Sequence, residues 1–178
     1  TSTRTVRIGY ADSWNDGVSR STFAYPTVLT DPAGTTLGAA GHSSTVKYRF
    51  DIGANVEAVS PAPAGQTYGK TSRRKFDDYG RIEKESVLID TAEQSYVRYV
   101  YPTNGIQAQS YANVVDSNAN GPDSADEVMS ESWMDGAGRT VATRTEHPGS
   151  SGGWSAVTSS YDVLGRLYSQ SVPTEVNS

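Results

Sequence analysis

The stretch Tyr161-Asp162-Val163-Leu164-Gly165-Arg166 contains the pattern that decides the fold: a hydrophobic residue, Asp, two variable residues, Gly and Arg. The pattern recurs as FDDYGR at residues 76–81 and as MDGAGR at residues 134–139. Its defining positions are Phe76, Asp77, Gly80, Arg81, Met134, Asp135, Gly138, Arg139, Tyr161, Asp162, Gly165 and Arg166. Degenerate copies stand at residues 50–53, at 101–105 and, more weakly, at 31–34. A spacing of about 25 residues accommodates two short strands and two turns, so each unit is predicted to be one β-hairpin.

Each position of the motif has a structural role that needs no catalysis. The Asp carboxylate is predicted to open a turn by accepting a bond from the backbone N–H two residues on. Gly supplies a backbone conformation that a Cβ would penalise. The hydrophobic residue ends the incoming strand and is expected to pack on the core face. Arg starts the return strand and is expected to pair with Asp of its own or the next unit.

The rest of the chain also favours strands. In residues 44–51 (STVKYRFD), Val46, Tyr48 and Phe50 alternate with polar residues, as in a half-buried strand. Similar runs stand at residues 4–10, 95–101, 128–134, 140–145, 154–161 and 167–172. One helical turn is predicted near residues 124–129, with Ser124 and Glu127 as a capping box. The predicted fold is therefore all-β: consecutive antiparallel β-hairpins that form a curved, twisted sheet.

Composition excludes several classes of function. The net charge is −5 and no basic block is visible, so the electrostatic signature of nucleic-acid binding is absent. No run approaches the roughly 18 apolar residues of a membrane span. The absence of Cys excludes disulfides and thiolate metal sites.

The repeats resemble the YD/RHS family. The Asp-x-x-Gly-Arg copies carry this resemblance, together with Pro148, which follows Arg139 by nine residues. The resemblance implies a long β-strip that spirals into a hollow shell, which in bacteria encloses a C-terminal toxin or effector; animal teneurins use a similar shell for adhesion. It also implies a secreted or cell-surface location. Residues 1–178 would then be one repeat region of a larger chain, with the remaining shell, or a second copy bound through edge strands, as partner.

Residues 116–127 match the calcium-loop pattern D-x-[DN]-x-[DN]-G-x5-E. Calcium requires six to eight oxygen ligands, which Asp116, Asn118, Asn120 and Glu127 would help to supply. The alternative is a polar hairpin loop, because residues 110–115 before it favour a strand and not a helix. No other cofactor is expected.

Two further patterns suggest binding or chemistry. Trp154, at a predicted loop edge, is the best candidate for an exposed aromatic platform that binds a glycan. Residues 149–153 (GSSGG) match G-x-S-x-G around Ser151, but a strand-like run follows where a nucleophile elbow needs a helix. His42 and His147 show no zinc-ligand spacing. We therefore expect a structural and interaction module and not an enzyme; the alternatives are a carbohydrate- or calcium-binding surface module and, more remotely, a serine hydrolase.

Overall fold

The computed structural model describes residues 5–32, 42–113, 121–147 and 153–177. Over these residues the chain contains thirteen β-strands and a single 3₁₀ turn. The strands are β1 Arg7–Gly9, β2 Val28–Thr30, β3 Ser43–Arg49, β4 Ala54–Val59, β5 Lys70–Phe76, β6 Ile82–Ile89, β7 Ala92–Val100, β8 Gln107–Asn113, β9 Glu127–Met134, β10 Thr140–Glu146, β11 Gly153–Tyr161, β12 Leu167–Gln170 and β13 Thr174–Asn177.

The strands pair in chain order from β1 to β12, and β13 pairs with β11. The pairings with a described register are all antiparallel, as in β5 against β6 and β9 against β10. The predicted all-β fold of consecutive antiparallel hairpins is confirmed. The chain divides into two compact units, residues 1–94 and 95–178, with the boundary inside β7. No helix in the described part of the chain is both long enough and apolar enough to cross a membrane.

The first unit contains β1 to β6 and a small aromatic core. Trp14 meets the rings of Tyr25 and Phe50 edge-on, with centroids 6.0 and 5.0 Å away, and Tyr25 stacks on Tyr48 at 4.8 Å. Asp12 orders the connection from β1 to β2, because its carboxylate accepts bonds from several backbone N–H groups of that segment. Burial raises the pKa of Asp12, but these bonds outweigh it and hold that pKa at about 2.

Cross-strand ion pairs stabilise β5, a strand with the sequence KTSRRKF and little apolar surface. Arg73 pairs with Glu57 of β4 at 2.9 Å, and Glu57 also binds Lys47 of β3 at 2.8 Å. On the other side, Arg74 reaches Glu85 of β6 at 2.7 Å. Opposite charges on facing strands stabilise a sheet through lateral contacts where a buried face is lacking.

The second unit contains most of β7 and the strands up to β13. Strand β11 pairs with β13 over residues 153–156 and with β12 over residues 159–161, so these two short strands share one edge. The turns at residues 135–139 and 162–166 lie at the same end of this unit, because every second connection of an antiparallel sheet does so. The same rule places the turns at residues 50–53 and 77–81 together at one end of the first unit.

The predicted capping box is wrong by one residue. The 3₁₀ turn is Ser124–Asp126, and its N-cap is Asp123, whose carboxylate accepts a bond from the Ala125 N–H at 2.7 Å. Asp126 supplies the reciprocal bond to the Asp123 N–H, so two carboxylates take the places predicted for Ser124 and Glu127. Glu127 instead begins β9.

Of the weak copy at residues 31–34, the structure describes only Asp31 and Pro32. Asp31 lies in the connection from β2 to β3, where its N–H bonds the His42 carbonyl at 2.8 Å. This connection is at the opposite end of the unit from residues 50–53. Residues 33–41 lie outside the described residues.

Two glycines of one turn allow a matched test of backbone conformation. Gly138 has a φ of +76°, and an added Cβ at either Gly136 or Gly138 would meet nothing within 4 Å. We expect Gly138→Ala to lower the free energy of unfolding by about 1 kcal/mol, through backbone strain alone. Gly136→Ala should be neutral or slightly stabilising, because it only restricts the unfolded chain. Urea unfolding measures both; equal effects of the two substitutions would contradict the assignment.

Candidate functional site

Each Asp-x-x-Gly-Arg copy forms the same five-residue turn, which we call the aspartate turn. In residues 135–139, the Asp135 N–H bonds the Arg139 carbonyl, and the Gly138 N–H bonds the Asp135 carbonyl, both at 2.9 Å. The carboxylate Oδ1 of Asp135 accepts the N–H groups of Ala137 and Arg139, at 2.9 and 3.0 Å. Its Oδ2 accepts Nε of Arg139 at 2.7 Å. A β-turn followed by a left-handed Gly is a standard three-residue hairpin loop.

The other two copies repeat these bonds atom for atom. Asp77 Oδ1 accepts two backbone N–H groups at 2.9 and 2.8 Å, and its Oδ2 accepts Nε of Arg81 at 2.7 Å. Asp162 does the same at 3.0, 2.9 and 2.8 Å, with Arg166 as its partner. In all three copies Arg pairs with the Asp of its own turn.

These bonds lower the pKa of each turn carboxyl. In Asp135 the Arg139 side chain is the largest cause, followed by the Arg139 backbone N–H. In Asp162 the backbone N–H of Arg166 comes first and its side chain second. In Asp77, desolvation raises the pKa, but the bonds from Arg81 and the Tyr79 N–H outweigh it. The ionised carboxylate is therefore part of the folded turn.

Neighbouring turns contact each other within each unit. In the first, Arg49 Nη1 donates to the Asp77 carbonyl at 3.0 Å and, through Nη2, pairs with Asp51 at 2.8 Å. In the second, the Arg139 guanidinium lies 4.7 Å from the ring centroid of Tyr161. Tyr161 also donates its hydroxyl to the Thr140 carbonyl at 2.8 Å. The expectation that the motif aromatic packs in a core is wrong for Tyr161, which is half-buried and contacts the preceding turn.

The degenerate copies keep a turn with other hydrogen-bond partners. At residues 50–53 the missing Arg is replaced by Arg49, which comes from the incoming strand, and Gly53 keeps a φ of +63°. At residues 101–105 the missing Asp is replaced in the backbone by Pro102, whose carbonyl accepts the Gly105 N–H at 3.3 Å. Both turns therefore form without the full motif.

The predicted calcium ligands fall mostly outside the described residues, which exclude Asp116, Asn118 and Asn120. Glu127, the ligand predicted for the twelfth place, is 7% exposed and faces the sheet. Its two carboxylate oxygens accept Nε and Nη2 of Arg98, at 2.7 and 2.6 Å, and one also accepts the Tyr96 hydroxyl at 2.7 Å. Among the described residues, no three His, Cys, Asp or Glu side chains are grouped so as to hold a metal ion.

A second polar cluster, which the sequence analysis did not single out, surrounds Glu131 on β9. This residue is 3% exposed. Its Oε1 accepts the side-chain amides of Gln107 and Gln109, at 2.9 and 2.5 Å, and its Oε2 accepts Nε of Arg144 at 2.6 Å. The missed signal was an acidic residue at an inward period-2 position of β9, directly opposite Arg144 on β10.

The expectation that Trp154 is an exposed platform is wrong. Trp154 is 7% exposed, and the Arg144 guanidinium lies 4.3 Å from the centroid of its ring. The same guanidinium lies 5.1 Å from the centroid of Trp133. Trp154 is therefore a packing partner of the Glu131–Arg144 pair, and it offers no ring face for a sugar to stack on.

Two of the remaining predicted groups are described, His42 and His147, whereas Ser151 lies outside the described residues. His147 donates its backbone N–H to the Gly153 carbonyl at 3.0 Å, next to the β10–β11 hairpin. The His42 carbonyl accepts the Asp31 N–H, as described above.

No protein-family model matches the chain, and a search of curated proteins finds no significant match.

Acid should weaken the fold through the aspartate turns. Because folding lowers the pKa of Asp77, Asp135 and Asp162, their contribution is complete above the ordinary Asp pKa of about 3.9 and is lost as pH falls through the lowered folded values. We expect the melting temperature to be flat from pH 7 to about pH 4.5 and to fall steeply below pH 4. Substituting all three with Asn should lower it by several degrees at pH 7 and flatten the acid limb.

The control for this experiment is Asp78→Asn. Asp78 precedes Tyr79 in the same turn but takes no part in the bond set that Asp77 organises. The Asp78→Asn variant should leave both the melting temperature and its dependence on acid pH unchanged. If Asp78→Asn lowered the melting temperature as much as the single variant Asp77→Asn, general surface charge and not the turn geometry would explain the acid sensitivity.

The Glu131–Arg144 pair should be strongly coupled. Arg144→Ala leaves the Glu131 carboxylate buried without its cation, and we expect a loss of about 3 kcal/mol in the free energy of unfolding. The double variant Glu131→Leu with Arg144→Leu should cost less, because it removes the buried charge as well. The exposed partner of Lys75 gives the control: Glu83→Gln should cost under about 1 kcal/mol. A cost for Arg144→Ala no larger than that of the control would refute the coupling.

Proposed function

We propose that this chain is a structural and interaction module, a wall segment of an RHS-type shell that encloses a C-terminal toxin or effector. In this proposal the aspartate turns have no catalytic role. They fix the hairpins from which the wall is built. The proposal includes a secreted or cell-surface location, which follows from the resemblance of the repeats to the YD/RHS family.

The observation that carries the proposal is how few side chains the described part of the chain buries. Of the described side chains, none is fully enclosed, and the buried apolar ones are Trp14, Val56, Leu88, Tyr96 and Trp154. Such a sheet gains stability when further protein covers it, as a wall segment is covered by its neighbours.

The contacts between turns support the same proposal. In repeat proteins each unit is stabilised by the unit next to it, so stability is a sum of units and interfaces. Arg49 joins the turns at residues 50–53 and 77–81, and Arg139 joins those at 135–139 and 162–166. Contacts between successive turns suit a wall that extends by the addition of hairpins.

The outer strand β12 supports an interaction at the edge of the sheet. All four of its residues are exposed, and Tyr168 retains 80% of its accessible surface. Leu167 on the same strand is exposed as well. An open edge strand with exposed apolar side chains can pair with another strand.

The proposal predicts concentration-dependent self-association through β12. Leu167→Lys and Tyr168→Lys should each weaken it at least about tenfold, because burial of one such side chain contributes ~1.5–3 kcal/mol and a charge opposes pairing. Sedimentation velocity over a range of concentrations measures the effect. Val163→Lys, the same change at an exposed turn position, is the control and should leave association intact. A monomer at every concentration, or an equal loss of association in all three variants, would contradict the edge interaction.

A further inference from the structure

The sheet of the first unit opens between β4 and β5. The two strands pair over three positions, with Glu57 opposite Arg73 as the last pair before the turn end. Beyond it, residues 54–56 and 74–76 are not paired with each other. A cavity of about 620 Å³ occupies this opening, which we call the β4–β5 slot. It is lined by residues of β3, β4 and β5, and Val56 and Phe76 form its apolar wall.

A β-bulge explains why the slot opens there. On β3, Lys47 faces Glu57 and the next residue, Tyr48, faces Asn55, so Val56 is an extra residue in β4. A bulge bends its strand and re-aims the neighbouring side chains, and bulges are frequent beside functional sites. Val56 is buried at this point and forms part of the apolar wall of the slot.

The slot is closed at both ends. At one end the Glu57–Arg73 pair joins the two strands, with an ion pair of 2.9 Å. At the other end Arg49 Nη1 donates to the Asp77 carbonyl and joins the two neighbouring turns. A ligand in the slot must therefore be compact. The volume lies within the range of about 300–1,000 Å³ typical of small-molecule sites.

Five of the fifteen Lys and Arg residues line the slot. Each is ion-paired: Lys47 and Arg73 share Glu57, and the others pair with Asp51, Glu85 and Glu83. Lys47 and Arg49 come from β3, whereas Arg73, Arg74 and Lys75 come from β5, so cations stand on both sides of the opening.

Four of these cations are accessible to an anionic ligand, whereas Arg49 is held by Asp51 and the Asp77 carbonyl. The most exposed is Lys75, whose side chain retains 67% of its accessible surface, and the Arg74 side chain retains 48%. Exposed ion pairs contribute little to stability, so a bound anion can replace their carboxylates at little cost. Arg also binds carboxylate and phosphate groups through two parallel hydrogen bonds.

We propose that the β4–β5 slot binds a compact polyanion, a small molecule that carries two or more carboxylate or phosphate groups. Lys47 of β3 holds one group and cations of β5 hold another, while Val56 and Phe76 contact the carbon framework between them. The apolar wall distinguishes such a ligand from an inorganic ion, which has no framework to pack against it. This site is independent of the edge interaction at β12.

The probes are citrate as the polycarboxylate, inositol trisphosphate as the polyphosphate, and acetate and inorganic phosphate as simple anions, all at matched ionic strength. Isothermal titration measures affinity, and amide chemical shifts report the place of binding. We expect citrate or inositol trisphosphate to bind and to shift the amides of residues 47–49, 54–57 and 73–78. Binding of one and not the other identifies the anionic group. Equal responses to citrate and acetate, or shifts outside these residues, would overturn the proposal.

Matched variants of exposed cations test the role of charge. Arg74→Gln and Lys75→Gln should each weaken binding about tenfold, the value of one charge-assisted hydrogen bond. Lys70→Gln removes a cation from the same strand outside the slot and should leave affinity unchanged. Asp78→Asn removes a repelling carboxylate from the lining and should tighten binding up to about fivefold. Unchanged affinity in both slot variants, with circular dichroism identical to the parent chain, would refute the site.

Discussion

An aspartate carboxylate that closes a hairpin is the interaction on which most of this structure depends. In Asp135 one oxygen holds two backbone N–H groups of the turn, and the other holds the guanidinium of Arg139. A single side chain thereby fixes the turn, the start of the return strand and the direction of the Arg side chain. The guanidinium, held in place, then contacts Tyr161 of the following turn. Hydrogen bonds within five residues therefore position the Arg side chain that connects successive hairpins.

Polar contacts between neighbouring strands provide much of the stability that a buried core provides in a compact domain. In the first unit Glu57 binds cations of two neighbouring strands, and in the second Glu131 binds amides of β8 and the guanidinium of Arg144 on β10. These two carboxylates differ in setting. Glu57 lies on an accessible face, whereas Glu131 is covered by its partners, so salt screens the first pair much more than the second.

Much of the fold follows from the sequence, because its signals are local. The aspartate turns and the alternating strands, such as β3, were predictable from residue type and period. The strand β5 was not, since KTSRRKF has no apolar alternation and depends on charges of other strands. Trp154 was wrongly predicted to be exposed for a similar reason. It stands at the edge of a loop in the sequence, but Arg144 of the neighbouring strand covers its ring. The β4–β5 slot required the register of β3 against β4, which places an extra residue at Val56 and is invisible in the sequence alone.

The position of Arg49 bears on how such hairpins are recognised in a sequence. The turn at residues 50–53 lacks the Arg that ends the motif, yet a guanidinium still reaches Asp51, because Arg49 approaches from the incoming strand. The hydrogen-bond pattern of a unit is therefore kept although its sequence departs from the motif. A search for the motif alone overlooks such a hairpin, whereas a search for the donors around the turn carboxylate finds it.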